Sequence, residues 1–336
     1  MDAKITKKRL AGMLSYDWIK IVALSVAAII VWMLIFTMTA TRITPAQQFT
    51  VFNYYCNGAL SNTDFSATYA KAFSDNVFSY EVIETNYNDL VTSGEYASTI
   101  LQARVSTDEG DVIFIPNIGD VDTQTTDENG ETVYESTYLE TFFSGYYTSV
   151  FNLDPEAEDG YFKRMENYLN GFYGGDYENG TLDEEKVKSA FVTRIEKNKD
   201  KRFKKEAQIE QGKADEVERI KKYRDALVAF YGYLDEGLVA FTEVAATNGN
   251  GDTVRQGKYA LDLCPNTDTM GGLSKQFYYM TTEDYVSDGE TKSRSVRSAK
   301  NMNVMFFNMS GTEDSFEYES LLYVNYLIEN CRTKTA

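Results

Sequence analysis

The sequence predicts an α/β fold in which a parallel-sheet lobe is joined to a helix-rich second lobe and preceded by one transmembrane helix. Three observations predict it. Residues 49–117 read strand, helix, strand, helix, strand; residues 21–41 form an apolar run without a charge; the middle of the chain carries helical rather than two-residue periodicity. Strands that alternate with helices imply parallel pairing, because the helix returns the chain through a right-handed crossover.

Within the first stretch, Phe49, Thr50, Val51 and Phe52 are β-rich and lead into Asn53, Tyr54 and Tyr55. Asn62 or Thr63 then suits the N-cap of a helix with Phe65, Tyr69, Ala72 and Phe73 on one face. Residues 78–83 (Phe, Ser, Tyr, Glu, Val, Ile) alternate at period two, as a half-covered strand does. A second helix is expected from Glu95, with Tyr96, Ile100 and Ala103 on its apolar stripe and Gly110 as its stop. Residues 111–116 end the unit as an unbroken apolar run (Val112, Ile113, Phe114, Ile115), the mark of a strand covered on both faces.

Composition narrows the chemistry. The chain has 336 residues, 43% of them apolar, and only 4 prolines, which places it among folded proteins. It contains no histidine, which removes Ser-His-Asp and Cys-His catalysis, HExxH zinc sites and imidazole pH sensing. Net charge is −18, yet the first twenty residues carry five basic against two acidic side chains, leaving −21 on the rest. A body that acidic is repelled by phosphate backbones, so no nucleic-acid partner is expected. Cys56, Cys264 and Cys331 fit no metal spacing and read as buried thiols; neither a metal nor a cofactor is expected.

The uncharged run 21–41 lies between Lys20 and Arg42 and is long enough, as a helix, to cross a bilayer core of about 30 Å. Its length and the poor cleavage box at Met38, Thr39 and Ala40 favour an uncleaved anchor over a signal peptide. The basic flank 1–20 puts the N-terminus in the cytoplasm and residues 42–336 outside a cell membrane crossed once.

Beyond the first unit, residues 119–134 hold Asn129-Gly130 and read as a hairpin or rim loop. Asp120, Asp122 and Asp127 lack the glycine and terminal glutamate of a calcium loop. Residues 138–246 are the helix-rich part: Leu139, Phe142, Phe143, Tyr146 and Tyr147 make one stripe, and 182–238 is the longest helical region. Inside it Lys197, Lys199, Lys201, Arg202, Lys204 and Lys205 form a basic cluster, read as a solvated face with contact to an acidic partner or anionic headgroups as the alternative. Residues 258–330 close the domain, with strands at 258–263 and 303–308, a polar basic loop at 289–300 and a helix starting near Thr312. Gly257-Lys258 is not a phosphate loop, because Tyr259 stands where Ser or Thr holds magnesium.

Open parallel sheets bind ligands beyond the carboxyl ends of their strands, where strand order reverses. With the first strand between the other two, Tyr54, Tyr55, Asn57, Pro116 and Asn117 would line that crevice, with Asn86 and Tyr87 one strand outward. Tyrosine rings and asparagine amides there suit a small, neutral, hydroxylated solute.

Residues 49–53, the helix near Asp64, Tyr80-Glu81-Val82 and above all residues 111–116 resemble the first lobe of the type II extracellular (periplasmic) solute-binding proteins of ABC importers. The resemblance covers 49–117, recurs loosely at 303–308, and leaves the middle unmatched. It implies two α/β lobes hinged about a cleft, a small polar ligand such as a sugar, an ABC permease as partner and no catalysis. The chain departs from the family in having an apolar helix in place of a lipid-modified cysteine and in its short outer part. The alternatives are a non-transport interaction or sensing module of the cell envelope on the same scaffold, and a glycosidase using two of the 51 acidic residues.

Overall fold

The structure, a computed structural model, describes residues 7, 11–12, 18–39, 47–54, 60–61, 77–90, 94–266, 273, 277–287, 289–308 and 318–332. The chain divides into two units, Met1–Arg42 and Ile43–Ala336. The first holds helix α1 (Trp18–Thr39), whose apolar side chains are exposed on every side. It begins three residues before the expected run: Lys20 lies within it, because helix hydrogen bonds need no apolar side chain. Its Trp18–Phe36 stretch has a mean hydropathy of 2.6, a length and composition that suit a membrane anchor and equally a signal sequence.

The second unit is built on a mixed six-stranded sheet of order β3-β1-β4-β11-β8-β7. Its strands are β1 (Gln48–Asn53), β3 (Glu84–Asp89), β4 (Val112–Pro116), β7 (Ala240–Thr247), β8 (Thr253–Asp262) and β11 (Met302–Phe306). β1 pairs in parallel with β3 and with β4, as the alternation of elements predicts. The remaining three pairings, β4 with β11, β11 with β8 and β8 with β7, are antiparallel. β4 is therefore central and buried at all five positions, but only one of its neighbours is parallel. Burying Ile113, Phe114 and Ile115 stabilises the sheet by about 1.5–3 kcal/mol per side chain.

Helices cover both faces. On one, α7 (Glu319–Cys331) sets Tyr323 edge-on to Phe49 and Phe114, at 5.3 and 6.1 Å. Behind it runs α6 (Glu206–Asp235), tied to α7 by Asn325 Nδ2 donating to the Ala226 carbonyl at 2.8 Å. On the other face, α3 (Tyr138–Tyr146) places Phe142 against Phe307 and Phe143 against Tyr259. Thr137 and Glu140 close a capping box at its start. α4 (Tyr161–Asn170) stacks Phe162 on Phe230 of α6, and α5 (Glu184–Asn198) packs beside α6. Phe142, Phe162, Leu227, Val304 and Val324 belong to one continuous core. The helix-rich stretch therefore lies on the sheet and forms no second lobe among the described residues.

Several expectations are corrected. Residues 78–83 are turns rather than a strand: Phe78 and Val82 are buried, but Ser79 and Glu81 also point inward, to polar partners. The strand follows at Glu84–Asp89, polar because β3 is an edge. α2 (Ala97–Ser106) buries Ala97 and Leu101, with Tyr96 exposed before it and Ala103 exposed upon it, and it ends at Thr107 ahead of Gly110. The long helical region is two helices, broken at residues 199–205, where Lys199 adopts φ 51°. The expected loop at 289–300 is mostly strand β10 (Glu290–Ser298), paired with β9 (Phe277–Ser287), which in turn pairs with the short β2 (Leu60–Ser61). The rim hairpin forms as β5 (Gln124–Thr126) and β6 (Thr132–Tyr134). The helix expected from Asn62 or Thr63, Cys56 and the start near Thr312 lie outside the described residues.

Candidate functional site

The chain leaves β1 towards β3 on one side and later enters β4 on the other, so strand order reverses beside β1 as anticipated. At that end Tyr54, half-buried, donates its N–H to the Phe114 carbonyl at 3.0 Å and sets its ring edge-on to Phe142 at 5.4 Å. Pro116 is the last residue of β4, opposite Met302, and Asn117 donates its N–H to the Asn301 carbonyl at 2.8 Å. These three predicted residues stand together, with the Tyr54 ring committed to packing. Asn86 and Tyr87 do not join them: they are inside β3, level with Thr50 and Val51, because the strand begins six residues later than the alternation suggests. Tyr55 and Asn57 lie outside the described residues.

Asn53 is the residue that sequence reasoning passed over. It ends β1 on the same face as Phe49 and Val51, is 0% exposed, and neither its Oδ1 nor its Nδ2 has a hydrogen-bond partner among the described residues. A buried amide without partners costs about 1–3 kcal/mol. Its trace in the sequence is a polar residue closing an apolar central strand.

A second polar centre joins elements far apart in the chain. Glu216 of α6 accepts from Tyr80 Oη at 2.7 Å and from Arg194 Nη2 of α5 at 2.9 Å, with Arg219 Nη1 at 3.3 Å. Glu81 meets Arg194 and Arg202 at 3.3 and 3.0 Å, and Arg202 also pairs with Asp200 at 2.7 Å. Arg219 Nε donates to Tyr223 Oη at 2.9 Å, and Tyr223 and Ser79 both donate to Glu319 Oε1 of α7, at 2.5 and 2.8 Å. Burial opposes the charge on Glu216, but Arg219 and Arg194 outweigh it and hold the carboxylate below its usual range. Burial likewise opposes the Arg219 charge, and Tyr223, Glu216 and Glu319 reverse that, raising it well above the ordinary value. These groups pair with one another, although Arg219 Nη2 and Glu319 Oε2 have no hydrogen-bond partner among the described residues, and the centre is a clamp between residues 79–81 and three helices. Next to it, Asp111 Oδ2 accepts from Thr50 N–H at 2.6 Å; burial pushes its pKa up to about 8, the hydrogen bond opposes that, and Glu319 adds to the rise.

Two surface features complete the inventory. A furrow of about 590 Å³ between α5 and α6 is lined by Lys188, Glu185, Lys213 and Glu210, whose charges pair within each helix, Lys188 with Glu185 on α5 at 2.8 Å and Lys213 with Glu210 on α6 at 2.7 Å. The β9–β10 ribbon is rooted by Phe277 stacked on Phe114 at 3.7 Å, and beyond Tyr279 it is exposed on both faces. It carries the cross-strand pair Arg294–Glu283 at 2.8 Å, with Tyr285 and Val286 bare near its tip. Among the described residues β10 is one edge of its sheet and β2 the other.

Among the described residues no group of three or more Cys, Asp or Glu could hold a metal ion. Cys264 and Cys331 are buried, and burial, with Asp262 nearby, pushes the Cys264 thiol up to about 11. Comparison with protein-family models, with curated proteins and with solved structures returns no match.

Proposed function

We propose that this chain is a membrane-tethered module of the cell envelope that works by contact with another protein, not by transport or catalysis. The observation that carries the reading is the β9–β10 ribbon: the described residues between Met280 and Arg297 are mostly exposed, beyond a body that has, among its described residues, one core and one central sheet. Exposed strand edges recruit further strands unless something guards them. The tether is α1, with residues 42–336 on the outer side of the membrane as the basic flank argues.

A second reading keeps the family resemblance: a solute-binding component that passes a small, neutral polar ligand to an ABC permease. Asn53 favours it, since a buried amide without partners at a strand-order reversal is a ready hydrogen-bonding site for such a ligand. That the described residues form a single lobe counts against it, because closure of two lobes is what excludes water from such sites.

One thermal-shift screen of the full chain in detergent, against sugars and other small polar solutes, separates the two. A solute at 100 times its dissociation constant stabilises its binder by about 2.7 kcal/mol. The contact reading expects no shift from any solute. A shift that disappears in Asn53→Leu would overturn it in favour of solute binding.

A further inference from the structure

The turn between α5 and α6 is charged against its local interests. Lys197, Lys199, Lys201, Lys204 and Lys205 are all exposed there, against the exposed acids Glu196 and Glu206. Two of the five have a local explanation. Lys197 lies in the last turn of α5 and Lys199 caps it, where the negative end of the helix dipole favours cations. Lys204 and Lys205 have the opposite placement. Lys205 is the N-cap of the 30-residue α6 and Lys204 precedes it, at the positive end where an acid or a small polar residue belongs. The start of α6 is capped instead by Gln208, whose Oε1 accepts from the Lys204 and Lys205 N–H groups at 3.2 and 3.0 Å, so the two ammonium groups stand against the dipole without serving as caps.

The turn is also anchored to the body. Arg202 folds inward to Glu81 and Asp200, and its neighbour Phe203 lies edge-on to Phe191 at 5.0 Å and Tyr80 at 6.2 Å. The lysines therefore project from a pinned platform on a body that is otherwise strongly acidic. Residues 40–47 alone separate α1 from β1, at most about 30 Å of extended chain. If α1 spans a bilayer, the body is tethered beside a surface of headgroups, and the acidic remainder of its surface is repelled by anionic ones.

We infer that the α5–α6 turn is a docking surface for the anionic headgroups of the membrane that α1 crosses. The inference rests on the membrane-tethered reading of α1 but not on the choice between protein contact and solute binding. Each lysine close to an anionic surface raises occupancy of the docked state about fivefold. The attraction fades as salt shortens the screening length from about 8 Å to 3 Å.

The test uses the full chain in nanodiscs of phosphatidylcholine alone or with one-third phosphatidylglycerol. Acetylation of individual lysines is read by mass spectrometry, with Lys292 on the ribbon as internal reference. Severalfold protection of Lys199, Lys204 and Lys205 in the anionic discs, reversed by 1 M NaCl, is the expected result. The double variant Lys204→Glu, Lys205→Glu should lose protection at Lys199 while melting no lower than the parent, since acids suit the start of α6. Equal acetylation in the two kinds of disc, or protection that persists in the double variant, overturns the proposal. Failure of the chain to co-elute with either disc overturns the reading of α1 and the proposal with it.

Discussion

Asp111 offers an unusually clean test of burial energetics, because the chain has no histidine to titrate between pH 5 and 8. Its pKa is pushed up to about 8 in the folded protein, from an ordinary 3.8. Between those values the folded state holds a proton that the unfolded state has released. Stability therefore falls as pH rises through this window and levels off above about 8. The slope is at most about 1.4 kcal/mol per pH unit, or about 2.7 kcal/mol from pH 5 to pH 7. Part of the residue's surface reaches solvent, which screens the penalty and makes this an upper limit. Both tryptophans, Trp18 and Trp32, are in α1, so unfolding of the body is better followed by far-ultraviolet circular dichroism in urea than by tryptophan emission. Asp111→Asn keeps an acceptor for Thr50 N–H and removes the proton, so it should flatten the profile and be the more stable protein at pH 7. A parent profile already flat from pH 5 to 7, or one whose slope survives in Asp111→Asn, refutes the reasoning. Asp262 is also raised by burial and contributes slope of the same sign, so the comparison is made in an Asp262→Asn background.

Two further outcomes follow from packing and charge. Gly212 lies within α6, where helix propensity alone makes Gly→Ala stabilising by about 1 kcal/mol. A methyl there would enter the rings of Phe191 and Phe203, so Gly212→Ala should instead lose about 1–2 kcal/mol in urea unfolding; a gain would mean that the rings move freely. Arg219→Met strips the guanidinium from Glu216 and Glu319 inside the clamp and should cost about 3–5 kcal/mol, whereas Lys188→Met at the surface should leave the urea midpoint in place. Equal midpoints for the two variants would show that the clamp contributes nothing.

What the sequence disclosed and what it hid divide along physical lines. β1 and β4 were readable because both of their faces are covered, which leaves short apolar runs such as Ile113, Phe114 and Ile115. The aromatic stripe of α3 was readable for the same reason: one face is wholly inside. β3 was misplaced because an edge strand needs little hydrophobicity, while the turn before it buries Phe78 and Val82 at alternating positions and imitates a strand. β9 and β10 left no period because most of the ribbon has no buried face. Antiparallel β11 beside β4 was also beyond reach, since a covered strand looks alike in either direction. Tyr54, Pro116 and Asn117 stand at the strand ends where the alternation puts them, but Asn53 was passed over in favour of its aromatic neighbours. The clamp was illegible in principle: Ser79 and Glu319, 2.8 Å apart, are separated by 240 positions.

The place of β11 has a consequence for biosynthesis. A strand from the last tenth of the chain completes the middle of the sheet, so β4 and β8 both wait for it with open edges. At ordinary translation rates, nearly two hundred residues separate the emergence of β4 from that of β11, roughly ten to forty seconds. During that interval the nascent chain holds an unfinished sheet that would pair with whatever strand it met.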